Sequence, residues 1–392
     1  MLQIFCTLMA ALSETGFIVK PSSFMRVSTH GNSSLYAVKT AHDDYVSGDV
    51  QLLDLHGTRH EQGYAFGKLG GKAALSNYNA LLGSLIDTKS IAGRLEKAAL
   101  EVVIDWQWRS TLSKQVPTEM VDELVGFAEG CKVALPLHIG SFCERVAGRM
   151  QTLANLPGDV DDIVFVLIDE LPRSVIREAE ALLAQTGQPP RSLRDFLAAL
   201  PWPLAQCSMF ALWGSRTQGG GVLSGRNLDW NHDTGINRNK LITVFHPPEA
   251  GRHAHATFGF GGLVGALAGM SAAGLTTHEA NLESNRDSFR GFPWLLRLRY
   301  VLERASDLQS AKEVWLATNN TVGFNHMVAS AKDRAALVIE TNAITSAFFR
   351  DDDPREKAAA FAGATLPEPP PTARLLPPPP PTLACAAPSP PP

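Results

Sequence analysis

The chain has 392 residues, 45% of them hydrophobic and 19% charged, with a formal net charge of -4 at pH 7. That balance suits one large or two medium globular domains with a substantial core and gives no reason to expect nucleic acid or an anionic membrane as partner. Five cysteines are too few for a disulfide scaffold, and the absence of a CxxC pair argues against a thiolate zinc site.

Residues 1–47 carry no clear element. Their first twelve, MLQIFCTLMAAL, are apolar like a short signal segment but lack a basic flank. Sequons at Asn32 and Asn319 would accept glycans if the chain were secreted or lysosomal. Residues 48–57 alternate as a strand, and from there to residue 206 the apolar spacing is mostly helical, with Pro117 placed as a helix start and Gly187 as a C-cap. Cys131 and Cys143 could pair there, which would leave Cys207 single. After Cys207 the texture changes. CSMFALWG, GVLSGRNL, KLITVFH, HATFGFGG and GLTTHEAN are short apolar runs set between turn residues, the pattern of successive strands. Residues 258–275 are uncharged and carry GxxxG spacing, but six glycines in 18 residues favour two buried strands joined by a turn over a membrane span. Two helices, over 294–304 and 308–317, and three more strands complete the region 207–357. Residues 358–392 form a Pro-rich tail, with 13 prolines in its last 30 residues, that suits polyproline II or disorder. A helical part followed by strands, helices and strands predicts an α+β fold.

Cys207 is the chemically pointed residue. A lone thiol is a weak nucleophile unless a base or a positive field favours the thiolate. Cutting the Gln206–Cys207 bond would make its own α-amine that base, with a reference pKa of about 7.7–8.0. A glycine turn at 219–221 would fold the strand bearing Arg226 and Asp229 back beside the cysteine. Arg226 can favour the thiolate or hold a carboxylate, and Asp229 can orient the amine. Local pattern also allows an Arg–Asp pair bracing a hairpin, with Cys207 as a core residue.

The stretch CSMF…GRNLDW resembles the N-terminal-nucleophile (Ntn) hydrolases, and within them the acyl-coenzyme A:6-aminopenicillanic acid acyltransferase family (peptidase C45-like), related to phospholipase B-like proteins, acid ceramidase and bile salt hydrolases. Three further segments are similar in the same order: LDLHGTRHEQGYAFGKL (52–69), GMSAAGLTTHEAN (269–281), and GFNHMVASAKDRAALVIET with AFFRDDDPRE after it. The resemblance implies an αββα sandwich with a helical segment before the cut. It implies Cys207 as nucleophile, Arg226 and Asp229 as the pair beside it, and Asn281 as an oxyanion donor through its backbone N–H. The implied reaction is acyl transfer through a Cys207 thioester, with an N-acyl amide or lipid-like acyl ester as substrate and water or an amine as acceptor. No cofactor is implied, and the processed chains are expected to stay associated. Relatives continue beyond the DDDPRE-like segment with strands carrying a further oxyanion asparagine, where this sequence turns to proline. Asn325 and Asn342 are the nearby alternatives. The contrasting expectation is a catalytically inactive relative or a truncated product acting as a non-enzymatic binding protein.

Other chemistries have weaker signals. His246, His253 and His255 lack a sensibly spaced fourth metal ligand, and PPEAGRHAHA reads as a solvated hairpin. No GK[ST] loop or helix-opening GxGxxG supports nucleotide binding.

Overall fold

The computed structural model describes residues 24–38, 50–135, 140–157, 160–189, 191–202, 206–229, 234–282, 284, 286–351 and 353–355. The apolar leader, the proline tail, the Cys143 side chain and the Gln206 side chain lie outside the described residues.

The N-terminal segment holds a hairpin that the sequence pattern did not signal: β1 (Met25–His30) pairs with β2 (Ser33–Val38) around the left-handed Gly31. β3 (Val50–Leu55) follows and then α1 (Arg59–Leu85). The start of α1 explains the GTRHEQG letters. Gly57 takes φ 106, Thr58 is the N-cap, and Glu61 closes a capping box with it. Gly63 and Gly67 then face α3 (Thr118–Ala134). A Cβ at Gly63 would stand 1.8 Å from the Glu123 carbonyl oxygen, and one at Gly67 2.0 Å from that of Phe127. Gly126 and Gly130 of α3 return the same close approach to His60 and Tyr64. Glycine here sets how near two helices lie. Gly63→Ala should therefore cost at least the ~1–3 kcal/mol typical of overpacking. Gly83→Ala, at a site on the same helix with open space around it, should stabilise by about 0.5–1 kcal/mol. Urea midpoints of the two variants test both signs.

The helical part continues with α2 (Ile91–Ser110), α4 (Gly140–Ala154), α5 (Val160–Ile168), α6 (Arg173–Ala184) and α7 (Leu193–Ala198). Strands then dominate as expected: β4 (Gln206–Leu212), β5 (Leu223–Asp229), β6 (Lys240–Phe245), β7 (His255–Phe260), β8 (Ala268–Ser271) and β9 (Leu275–Asn281). The uncharged stretch 258–275 is indeed strand, turn and strand, and no described helix is long and apolar enough to cross a membrane. α8 (Trp294–Arg304), α9 (Leu308–Leu316), β10 (Phe324–Ser330), β11 (Ala335–Thr341) and β12 (Ser346–Phe349) complete the chain.

The fold is α+β. One sheet runs in the order β1-β2-β3-β6-β7-β8-β9-β10-β11-β12, and β4 and β5 form a separate hairpin. The large sheet is antiparallel except where β3 runs parallel to β6. That ladder is the seam in the sheet between residues before and after Cys207. Along β10 the alternation is clear. Met327 and Ala329 pack against Met209, Ala211 and Trp213 of the hairpin side, while Phe324 and Val328 enter the main core with α8 and α9 residues. The hairpin thus lies on one face of the sheet and helices on the other. Among the described residues the second sheet has two strands, fewer than the pair of full sheets expected from the sequence.

Buried ion pairs cross from the helical part to the strand-rich part. Arg59 reaches Glu303 at 2.5 Å and Glu249 at 2.8 Å, and Arg299 reaches Glu123 at 2.6 Å with its guanidinium 3.5 Å over the Phe245 ring. Arg59, Glu123, Arg299 and Glu303 are all buried. Each charge sits where burial would be prohibitive without its partner.

Candidate active site

Cys207 occupies the second position of β4, opposite Leu228 on β5, and Met209 stands opposite Arg226. The period-two alternation of strands then puts Cys207, Arg226 and Leu228 on one face of the hairpin. That face meets the C-terminal end of β9. β8 stops pairing with β9 at Ala268 and His278, so the end of β9 from Glu279 to Asn281 is open on that side. Arg226 fills the opening. Its Nη2 donates to Cys207 Sγ at 2.9 Å and its Nε to the Glu279 carbonyl at 2.7 Å, and Nη2 also forms an ion pair with the Glu279 carboxylate. The thiol donates to Asn281 Oδ1 at 3.8 Å.

Three of the expected residues therefore meet: Cys207, Arg226 and Asn281. Asn281 does so through its side chain. Asp229 stands across the ladder from Gln206, on the opposite face from the sulfur. Its carboxylate is exposed and accepts from Asn227 Nδ2 at 2.6 Å, and only its backbone N–H reaches the Cys207 sulfur. Asn342 holds the turn between β11 and β12, accepting from the backbone N–H groups of Ile344 and Thr345 at 2.9 Å each. Asn325 stands beside Ala280 in the ladder, and its buried Oδ1 has no hydrogen-bond partner among the described residues.

Glu279 is the residue that sequence reasoning missed. It sits inside GLTTHEAN as one polar letter in a strand, and only the tertiary fold shows that it faces Arg226. Burial pushes its carboxyl up to about 7 against the opposing pull of Arg226. Burial also pushes the Cys207 thiol up to about 11, Glu279 adds to that rise, and Arg226 opposes it. Glu279→Gln removes the anion and leaves Arg226 to the sulfur, so the thiol value should fall. At about pH 8 the variant should be alkylated at Cys207 by iodoacetamide roughly tenfold faster, the effect of one pKa unit. At about pH 6 the native Glu279 is mostly neutral and the gain should shrink. Peptide mass spectrometry of Cys207 labelling measures both rates.

An apolar cavity adjoins the sulfur's neighbours. Leu228, Glu279 and Asn281 line it, together with Leu85 of α1, Met150 of α4, Trp294 of α8 and other apolar side chains. Apolar walls with a few polar groups at one end suit a ligand with an acyl chain and a polar head.

The histidines weighed for a metal do not gather as a trio. His255 is buried, stacked on Phe245 with Arg299 at 3.2 Å, so this end of the β6–β7 connection is not solvated as the sequence suggested. Burial, then Arg299, pushes its pKa well down. His253 contacts Ser306 Oγ at 2.9 Å.

Residues 216–353 match the family model of acyl-coenzyme A:6-aminopenicillanic acid acyl-transferase. Arg226, Asp229, Glu279 and Asn281 lie inside the matched region, and Cys207 lies just before it. The chain is also similar to protein dcd1B of Dictyostelium discoideum, 22% identical over 334 residues, which are 84% of this chain and 56% of that protein. The chain thus spans little more than half the length of that relative.

Proposed function

We propose that this protein is a self-processing cysteine amidohydrolase or acyltransferase of the Ntn type, with an αββα arrangement in which the β4–β5 hairpin belongs to the second sheet. The observation that carries this reading is the Arg226 guanidinium held 2.9 Å from the Cys207 sulfur and braced by buried Glu279 at the mouth of an apolar cavity.

In the processing step, Cys207 Sγ attacks the carbonyl carbon of Gln206 as its proton is lost. The C–N bond to Cys207 breaks, and the released nitrogen takes up a proton. Water then hydrolyses the thioester, leaving a Gln206 carboxylate and a free Cys207 amine. In turnover that amine takes the thiol proton, and the sulfur attacks the substrate acyl carbon. The collapsing tetrahedral intermediate expels the leaving amine with the same proton. Water or an acceptor amine finally takes the acyl group from sulfur. Arg226 stabilises the sulfur as its charge grows, and the N–H of Asn281 supplies one oxyanion donor. Asp229, one ladder step from the new amine, orients it after the cut. The apolar cavity takes the acyl chain of an N-acyl amide or lipid-like substrate.

The buried Arg59–Glu303 and Arg299–Glu123 pairs span the cut, which supports two processed chains that remain together. N-terminal sequencing of the purified protein should find a second chain beginning at Cys207. A chain that stays intact under native conditions and runs like Cys207→Ala would overturn the reading.

A further inference from the structure

At the far end of the sheet from Cys207, the β3–β6 seam ends in three side chains that converge. Asp54 lies on β3 opposite Val244. His56 follows β3 and His246 follows β6. His56 Nε2 lies 3.1 Å from Asp54 Oδ1, and His246 Nε2 lies 2.9 Å from the same oxygen. The two rings stack with centroids 4.1 Å apart and planes 9° from parallel. One donor atom from each residue lies within 4.8 Å of the others.

We propose that Asp54, His56 and His246 bind a divalent transition ion, Zn2+ by donor chemistry, which clamps β3 to β6. Two imidazole nitrogens and one carboxylate oxygen are a standard protein ligand set for this ion, with a fourth position left to water. Ligand bonds of about 2.0–2.1 Å place tetrahedral donor atoms roughly 3.4 Å apart, and both nitrogen–oxygen separations fall within a few tenths of an ångström of that edge. The third edge, between the two imidazole nitrogens, lies within 4.8 Å, and tilting the stacked rings toward each other at their nitrogen ends brings it into range. Both rings already bring Nε2 to the same carboxylate oxygen, so the three donor atoms need only small side-chain shifts to surround one cation.

The backbone holds the ligands in place. His56 N–H donates to Ser33 Oγ at 3.0 Å, and Gln62 Nε2 donates to the carbonyls of His246 at 2.6 Å and Gly57 at 2.9 Å. Such supports fix first ligands in real sites. The position gives the ion a purpose. Asp54 and His56 precede Cys207 and His246 follows it, and β3 pairs with β6 through one parallel ladder. An ion here joins the two sides of the sheet where they meet. Its role across a cut seam rests on the proposed cleavage, whereas its binding does not.

The test uses the full chain, stripped with chelator and titrated with Zn2+, in both the wild type and uncut Cys207→Ala. Each should bind one ion and gain thermal stability on binding. Asp54→Asn keeps the size of the side chain and one acceptor oxygen but not the anionic ligand. It should lose more than the ~10–100-fold affinity that outer-shell changes cost, as should His246→Ala, while His253→Ala should bind normally. No saturable binding to the folded wild type, or unchanged affinity in a folded Asp54→Asn chain, would overturn the site. If wild type is cut, chelation should hasten separation of its two chains in mild urea. Uncut chains decide the ion site alone, so failure of the cleavage reading is seen separately.

Discussion

Cys207→Ala is expected to leave a single 42.3 kDa chain, where the wild type should yield one chain ending at Gln206 and another starting at Cys207. Turnover of any acyl substrate should fall by roughly 10⁵-fold or more, the scale on which loss of a covalent nucleophile is felt. Stability should hardly change, because Cys207 is half-buried and its truncation removes one small sulfur while Arg226 keeps Glu279 as partner. Cys207→Ser separates the two steps. A hydroxyl can still attack Gln206 over hours, but with an alkoxide far harder to form than a thiolate, so slow cutting with little turnover is expected. The thiol in the uncut chain sits at about 11, so processing should also accelerate as pH rises through the neutral range. Gel densitometry after rapid purification, at several pH values, measures this directly. A Cys207→Ala chain that is cut at the same place, or that turns over acyl substrate at the wild-type rate, would remove Cys207 from the chemistry.

Much of this arrangement was legible in the sequence for identifiable reasons. β4 to β9 are short apolar runs with period-two alternation and glycine or asparagine between them, and those signals are local. Leu295, Leu298 and Leu302 repeat at helical spacing, so α8 is readable to its ends. The letters GTRHEQGYAFG also carried their own physics, a left-handed glycine, a capping box and two contact glycines. What stayed hidden depends on residues far apart in the chain. Glu279 joins Arg226 only because β8 is shorter than β9. His246 looked like part of a run with His253 and His255, but its neighbours are Asp54 and His56, which are brought in by the parallel β3–β6 ladder. Asp229 stands across the ladder from Gln206, but strand alternation turns its carboxylate to the face opposite the sulfur, which the hairpin pattern alone did not signal.

Arg226→Ala is the second large expectation, and its pH dependence distinguishes stability from catalysis. In the native protein Glu279 titrates at about 7 rather than at its ordinary 4.5. A carboxyl raised by folding contributes stability that is fully present below about 4.5 and is lost as pH rises through the folded value. Arg226 limits that rise. Its removal should drive the Glu279 carboxyl higher still and extend the loss to more alkaline pH. At about pH 8 the variant should be less stable by ~3–5 kcal/mol, the cost of stranding a buried charge. Near about pH 5, where Glu279 is neutral in both proteins, the difference should be much smaller. Arg226→Ala with Glu279→Gln strands no charge and should recover most of the stability at about pH 8. It should not recover reactivity, because the sulfur still lacks the guanidinium that favours its thiolate, and processing should remain slowed by roughly 10²-fold or more, as when one preorganised donor is lost. Arg226→Lys keeps a charge near Glu279 but not the fork that reaches sulfur, carboxylate and carbonyl together, so it should fold well and process slowly. Denaturation midpoints across pH, set beside processing rates for the three variants, test this separation. Recovery of both properties in the double variant would mean that Arg226 serves only to neutralise Glu279.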